Sequence, residues 1–186
     1  GLELGLEWTG GFETKWQIEI DPYATKVLEK HWPNVKRYSD ITKVKGAELE
    51  PVDLICGGYP CQPFSVAGER NGEKDSRHLW PDMFRIIRHI RPKFTILENV
   101  TGHLSMGIGR ALGDLYEVGY DAEWKTIPAK SIGAMHRRER IFIIAYSNGS
   151  GRKRFESVER SSIGSEKAQS INSHQIVGTW LDLEGN

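Results

Sequence analysis

Short apolar runs alternate with helical patterns along this chain, and that alternation restricts its fold more than any other feature. The stretch VDLICGG (52–58) is almost continuously apolar, as expected for a strand that is buried on both faces of a sheet. Residues 77–92 then place apolar side chains on one face of a helix that Pro92 would end, and FTILENV (94–100) follows as the next buried strand. This succession indicates an α/β fold with a parallel sheet.

The remaining segments fit the same architecture. Asp21 is suited to cap a helix and Pro22 to occupy its first position, which predicts a helix over 21–32. The other predicted elements are strands at 14–21, 35–41 and 140–147 and a helix at 103–118. The chain opens helix-like, with GLELGLEW, although a sheet of this kind normally begins with a strand and a glycine-rich turn. The first strand is therefore predicted to be missing.

Composition narrows the class of protein. The 186 residues are enough for one domain with a core, and contents of 38% hydrophobic and 27% charged residues are ordinary for a soluble protein. No apolar run approaches a membrane span of about 18 residues, and no secretory leader is evident. With two cysteines, a reduced, cytoplasmic setting is expected, and the scattered histidines predict no metal site. The net charge of zero identifies no partner by itself.

One of the two cysteines lies in an unusual setting. Cys61 stands between two prolines in GGYPCQPFS, just beyond the carboxyl end of the strand at 52–58, where open α/β sheets bind their ligands. A stiff turn fixes the direction of a side chain without giving it a core, which favours a functional thiol. Cys56, inside the strand, is better explained as a buried, inert thiol.

Charged residues follow or end several predicted strands. Glu19 and Asp40 lie at two strand ends, where a carboxylate either caps a helix or binds ribose hydroxyls. Glu98 is the acid of FTILENV and could share a crevice with Cys61. Arg138 and Arg140 alternate just before a strand, so both can point to one side, although without other signals a solvated basic turn is the better explanation.

Taken together, three segments resemble the cytosine-5 DNA methyltransferase family: DLICGGYPCQPFSVAG, DSRHLWPDMFRIIRHIRPKFTILENV and RRERIFIIA, in this order. The resemblance runs from Gly1 to about Ser147, and Pro-Cys-Gln, Glu-Asn-Val and Arg-x-Arg-Ile-Phe are its most specific parts. EIDPYA and SDITKV are similar to the two cofactor segments of the family. The resemblance implies a Rossmann-like, S-adenosylmethionine-dependent methyltransferase sheet, incomplete at both ends here.

The resemblance also implies a mechanism. Cys61 would be the nucleophile that adds to carbon-6 of a cytosine, so that carbon-5 can accept the methyl group. Glu98 would hydrogen-bond N3 and the amino edge of the base, for which it must carry or share a proton. Arg138 and Arg140 would engage O2 and orient neighbouring groups. Because a stacked base is out of reach, the target cytosine in double-stranded DNA would be flipped out, at a cost of roughly a few kcal/mol.

Two further sets of residues are implied by similarity. In the cofactor set, Glu19 would bind the ribose, Asp40 the adenine amino group, and Ile20 and Ile41 the two faces of the adenine. The complete cofactor set is Gly1, Glu19, Ile20, Asp40, Ile41, Gly58, Pro60 and Leu79. The residues expected to meet DNA are Tyr59, Gln62 and Ser65.

Some features depart from the family. The Phe-x-Gly-x-Gly start of the cofactor turn is missing, His136 stands where Gln is usual, and the last cofactor motif is not recognisable. These departures predict a fragment of a longer, monomeric enzyme, and the fragment alone is expected to be inactive. Residues 1–147 would form the catalytic domain, and 148–186 would begin the variable target-recognition region, partly disordered because few apolar residues precede IVGTWLDL.

Other functions remain open at this point. Some relatives of the family methylate cytosine in tRNA, and nothing in the sequence excludes that substrate. The chain could also be a truncated remnant that binds nucleic acid or cofactor without turnover, although Cys61, Glu98, Arg138 and Arg140 are all intact. A cysteine hydrolase ranks third, because no motif places a histidine partner for the thiol.

Overall fold

The structure is a computed structural model that describes residues 1–59 and 79–148, together with the backbone of 174–177 and, at Met106, the backbone alone. The helices in these ranges are α1 (Leu2–Trp8), α2 (Pro22–His31), α3 (Trp80–Ile90), α4 (His103–Met106) and α5 (Ile108–Glu117). The strands are β1 (Phe12–Thr14), β2 (Trp16–Ile18), β3 (Lys36–Tyr38), β4 (Leu54–Gly58), β5 (Phe94–Val100), β6 (Tyr120–Pro128), β7 (Glu139–Ser147) and β8 (His174–Val177).

The main sheet has the strand order β1-β8-β4-β5-β7-β6 within the described residues. The first four of these strands run parallel, whereas β7 is antiparallel to both β5 and β6. The predicted α/β fold is confirmed, but the sheet is mixed rather than parallel throughout. A single 3₁₀ turn, Ala129–Ile132, lies in the short connection from β6 to β7, which is too short for a parallel crossover.

A second, two-stranded sheet pairs β2 with β3 in parallel, with Ile18 opposite Tyr38. The single strand predicted at 14–21 is thus divided at Lys15 into β1, which joins the main sheet, and β2, which does not. The carboxyl ends of β2 and β3 consequently lie side by side. The next residues, Glu19 and Ser39, begin the loops that carry several predicted site residues.

Strand β8 occupies an interior position of the main sheet, between β1 and β4. It pairs with all three residues of β1, and with Leu54 and Ile55 of β4. The sequence assigns β8 to the region after residue 147, separate from the catalytic domain, yet its backbone hydrogen-bonds within the sheet of that domain. The rest of 149–186 lies outside the described residues, so the division into domains and the partial disorder stay predictions.

Helix boundaries follow from local chemistry. Asp21 caps α2 as predicted, because its Oδ1 accepts a hydrogen bond from the Ala24 amide at 2.7 Å, and Pro22 takes the first helical position. The helix predicted at 103–118 is divided into α4 and α5 at Gly107, whose φ of −156° is not helical.

Strand β6 was not predicted, because its polar residues are those of an edge strand, without the apolar run of a buried one.

The core lies on both faces of the main sheet. Helices α3 and α5 cover one face, where Ile86, Ile87 and Leu115 are at most 1% exposed; burying one such side chain is worth about 1.5–3 kcal/mol. A smaller cluster on the other face joins Leu54 and Cys56 to side chains of α1. Among the described residues, no helix combines the length and apolar character needed to cross a membrane.

Candidate active site

Several of the predicted site residues that the structure describes lie at one edge of the molecule, where parallel strands end. Glu19 and Ile20 follow β2, Asp40 and Ile41 follow β3, and Gly58 is the last residue of β4. This is the edge at which open α/β sheets bind ligands, because loops leaving adjacent parallel strands enclose a crevice there.

A cavity of about 220 Å³ opens between these loops. Four of the predicted cofactor residues line it: Ile20, Asp40, Ile41 and Leu79. Ile18, Ser39 and Thr42 are the other described residues that line it. Ile20 is 57% exposed although it is apolar, whereas Ile41 is buried. The cavity thus offers apolar walls and one carboxylate, a combination suited to a flat heterocycle that carries an amino group.

Asp40 is the acidic group of this cavity, and its surroundings favour the ionised form. Its Oδ1 accepts hydrogen bonds from the Thr42 hydroxyl at 2.7 Å and from the Thr42 amide at 3.0 Å, while Oδ2 pairs with Lys43 Nζ at 3.0 Å. The hydrogen bonds from Thr42 and then Lys43 lower the pKa of Asp40 below its usual value. Asp40 is therefore an acceptor for a ligand amino group at neutral pH.

Glu19 is 3% exposed and stands directly after β2. Its Oε1 accepts a hydrogen bond from the Asp21 amide at 2.8 Å, just before α2. The carboxylate is held in a fixed direction by the turn between β2 and α2, as a ligand-binding acid at a strand end must be. Glu19 does not cap α2, since Asp21 does.

The second half of the site lies at the ends of β4, β5 and β7. Gly58 is directly opposite Glu98 in the parallel pair β4–β5, and Val100 is opposite Arg140 in the antiparallel pair β5–β7. Glu98 and Arg140 are consequently diagonal neighbours on one face of the sheet. Arg140 Nε donates to Glu98 Oε1 at 2.7 Å, and the two side chains are only 24% and 29% exposed. Glu98 is thus a neighbouring group that Arg140 contacts; that Arg140 orients it for catalysis stays a prediction.

The chain leaves β4 along a path fixed by β5. Tyr59, the first residue after β4, is 4% exposed, and its carbonyl oxygen accepts a hydrogen bond from Asn99 Nδ2 at 3.1 Å. Its hydroxyl shares a hydrogen bond of 2.6 Å with His103 Nε2, and His103 is 2% exposed. The Tyr59 side chain is therefore buried in this structure, and its contact with DNA stays a prediction.

The predicted nucleophile, Cys61, lies outside the described residues, as do Pro60, Gln62 and Ser65. The other cysteine, Cys56, is fully buried in β4, and burial raises the pKa of its thiol far above the usual value. Cys56 thus stays protonated at neutral pH, in agreement with its prediction as an inert thiol.

The remaining predicted residues are more dispersed. Arg138 precedes β7 and is exposed, and His136 is exposed two residues earlier. Gly1 is the N-cap of α1, and the structure does not bring it into the cavity lining. Sequence reasoning assigned no role to Asn99 or His103. The Glu-Asn-Val motif drew attention to the position of Asn99, but no pattern singled out His103.

Comparison with known proteins identifies the family of this chain. The sequence profile of C-5 cytosine-specific DNA methylases matches residues 1–182. The chain belongs to this family. The resemblance drawn from the Pro-Cys-Gln, Glu-Asn-Val and Arg-x-Arg-Ile-Phe segments is confirmed.

Curated members of the C-5 cytosine-specific DNA methylase family align with much of this chain. The type II methyltransferase M.NlaIV of Neisseria lactamica is 38% identical over 137 residues, which cover 67% of this chain and 32% of that protein. The type II methyltransferase M.HhaI of Haemophilus parahaemolyticus is 35% identical over 153 residues, covering 80% and 46%. The chain thus spans a third to a half of the length of these relatives.

Solved structures agree on the fold. A DNA modification methyltransferase encoded within an Escherichia coli prophage superposes with a TM-score of 0.63 at 26% identity, over 75% of this chain and 41% of that one. The DNMT2 mutant of Spodoptera frugiperda superposes with a TM-score of 0.67 over 95% of this chain and 51% of its own. Its identity of 17% supports the methyltransferase fold alone.

Proposed function

We propose that this member of the C-5 cytosine-specific DNA methylase family forms the catalytic part of a DNA (cytosine-5-)-methyltransferase. It would transfer a methyl group from S-adenosylmethionine to carbon-5 of a flipped cytosine in double-stranded DNA. The type II relatives favour a role in restriction and modification. The observation that supports the proposal best is the Glu98–Arg140 pair beside Gly58, because it places a carboxyl group and a guanidinium at the end of β4, three residues before Cys61 in the sequence.

The cavity beside β2 and β3 fits the adenosine part of the cofactor. Ile20 and Ile41 offer apolar contact to the adenine, and the Asp40 carboxylate can accept from its exocyclic amino group. Glu19, held by the Asp21 amide after β2, is suited to accept from ribose hydroxyls. Bound S-adenosylmethionine would supply an electrophilic methyl group.

The chain itself would activate the base. The thiolate of Cys61 adds to carbon-6, and the electrons of the carbon-5–carbon-6 double bond make carbon-5 nucleophilic. Arg140 then donates to the polar edge of the ring, where negative charge develops on addition, and Glu98, carrying or sharing a proton, donates to N3 of the base. Loss of the carbon-5 proton to solvent and cleavage of the sulfur–carbon bond restore the double bond and the thiolate. Arg138 directly precedes β7 and is exposed, so it is suited to reach the base or the DNA backbone.

A methyl-transfer assay tests this proposal. The full-length gene product should transfer radiolabelled methyl from S-adenosylmethionine to duplex DNA, and Cys61→Ser should reduce transfer to background. Cys56→Ala is the matched control, since it removes the buried thiol and should leave transfer intact. Transfer to tRNA with none to duplex DNA would contradict the proposed substrate, and undiminished transfer by Cys61→Ser would contradict the nucleophile.

A further inference from the structure

A buried polar link joins the end of β4 to α4, and the reaction proposed above leaves it without a role. Tyr59 Oη and His103 Nε2 share a hydrogen bond of 2.6 Å, although the two residues are 44 positions apart and are 4% and 2% exposed. Their rings meet edge to face, with centroids 5.4 Å apart. Two polar side chains buried in this way favour one relative position, because separating them would break a hydrogen bond away from water.

The position of the link in the chain gives it a consequence. Tyr59 is the first residue after β4, and only Pro60, whose ring fixes φ, separates it from Cys61 in the sequence. His103 begins α4, three residues beyond the end of β5, the strand that carries Glu98. The hydroxyl–imidazole bond therefore connects the segment before the nucleophile to the strand that holds the acid.

Other contacts hold the rest of the Tyr59 residue. The Asn99 amide binds its carbonyl oxygen, and its ring packs against Trp80 with centroids 5.2 Å apart. Trp80 is in turn held by a hydrogen bond of 2.6 Å from its Nε1 to Asp114 Oδ2 on α5. Ring packing and the backbone hydrogen bond are thus independent of the hydroxyl, so that the hydroxyl can be removed without removing the side chain.

We infer that Tyr59 and His103 are positioning residues, whose hydrogen bond sets the approach of Cys61 to the base relative to Glu98. The inference rests on the proposed function. A nucleophile must meet its target at about 3–3.5 Å, and a misplacement of about 1 Å can cost roughly a hundredfold in rate. The bond between Tyr59 and His103 is therefore expected to affect the chemical step rather than the binding of cofactor or DNA.

The test is a kinetic comparison of Tyr59→Phe with the unaltered full-length enzyme, at a temperature where both are folded. The single-turnover rate of methyl transfer should fall about tenfold to a hundredfold, with KM for S-adenosylmethionine and for duplex DNA unchanged within about twofold. The matched control is Tyr120→Phe, which removes another buried tyrosine hydroxyl, bonded to the Pro92 carbonyl at the far end of β6. This control should keep the full rate.

Combining two substitutions distinguishes loss of the Tyr59–His103 hydrogen bond from loss of side-chain packing. His103→Leu should slow the single-turnover rate as much as Tyr59→Phe, and the two changes together should slow it no further, because each removes the same hydrogen bond. The inference would be overturned if the rate reductions of the two single variants multiplied in the double variant. It would also be overturned if Tyr59→Phe left the rate unchanged, or if Tyr120→Phe slowed the enzyme equally. An unaltered enzyme that transfers no methyl group would instead refute the proposed function, and the inference with it.

Discussion

Replacing Glu98 by Gln and Arg140 by Met, singly and together, measures the interaction on which the proposed site depends. The two groups are 2.7 Å apart, and at an effective dielectric constant of about 20 unit charges at that separation attract by about 6 kcal/mol in gross terms. Desolvation and the ordering of two long side chains offset most of this attraction.

The net coupling is bounded by two classes of measurement. Hydrogen bonds to charged groups contribute about 1.5–3 kcal/mol when they are buried, and exposed ion pairs about 0.2–1 kcal/mol. With side chains 24% and 29% exposed, the Glu98–Arg140 pair lies between these classes. We therefore expect a coupling free energy of about 1–2 kcal/mol from a double-mutant cycle of urea unfolding.

The Lys15–Glu13 pair is the matched control. Its N–O distance is also 2.7 Å, but the Glu13 side chain is 64% exposed. Its coupling free energy should be about 0.5 kcal/mol or less and should vanish in about 1 M salt, whereas that of Glu98–Arg140 should persist. A coupling for Glu98–Arg140 no larger than that of the control would show that the half-buried pair is not formed as described.

Three further predictions concern stability and pH. Gly46→Ala should destabilise the chain by about 1–3 kcal/mol in urea unfolding, because the new Cβ would lie 2.4 Å from His89 Cγ, whereas Gly113→Ala in α5, which meets nothing within 4 Å, should stabilise it by roughly 0.5–1 kcal/mol. Asp21→Ala should cost about 1 kcal/mol through loss of the α2 cap, and Asp21→Ser should recover most of it; equal stability of both variants would refute the cap. Since the folded-state pKa of Asp40 is lowered from 3.8, its contribution to stability is present above that pH and lost as the pH falls through the folded pKa. Asp40→Asn should therefore reduce stability at pH 7, and thermal unfolding at successively lower pH should show this difference shrinking as the pH falls through the folded-state pKa.

The strands and helices that carry the site were predictable because their signals are local. The amphipathic pattern of 77–92, the apolar run of FTILENV and the Asp21-Pro22 start each depend on neighbouring residues alone. The structure accordingly has α3, β5 and α2 at these places, within a few residues of the predicted ends. The family resemblance, rather than any local signal, implied that Ile20, Asp40 and Leu79 share one pocket, and the structure has all three in the lining of one cavity.

Long-range features were not predictable in the same way. The position of strand β6 depends on its pairing with β7. Strand β8 is held between β1 and β4 by backbone hydrogen bonds, which no side-chain pattern in the sequence indicates. The Tyr59–His103 hydrogen bond joins residues 44 positions apart, and neither residue type at its position requires the other. Such contacts depend on how elements pack, which a single sequence does not state.

The most direct test of the central claim is covalent capture on duplex DNA that contains 5-fluorocytosine at the target position. Fluorine cannot leave carbon-5 as a proton does, so the sulfur–carbon bond should persist after methyl transfer, and the adduct should appear by denaturing electrophoresis and mass spectrometry. One adduct is expected, which maps to Cys61 and is lost in Cys61→Ser. An adduct at another residue, or one that survives Cys61→Ser, would contradict the role of Cys61 as the nucleophile.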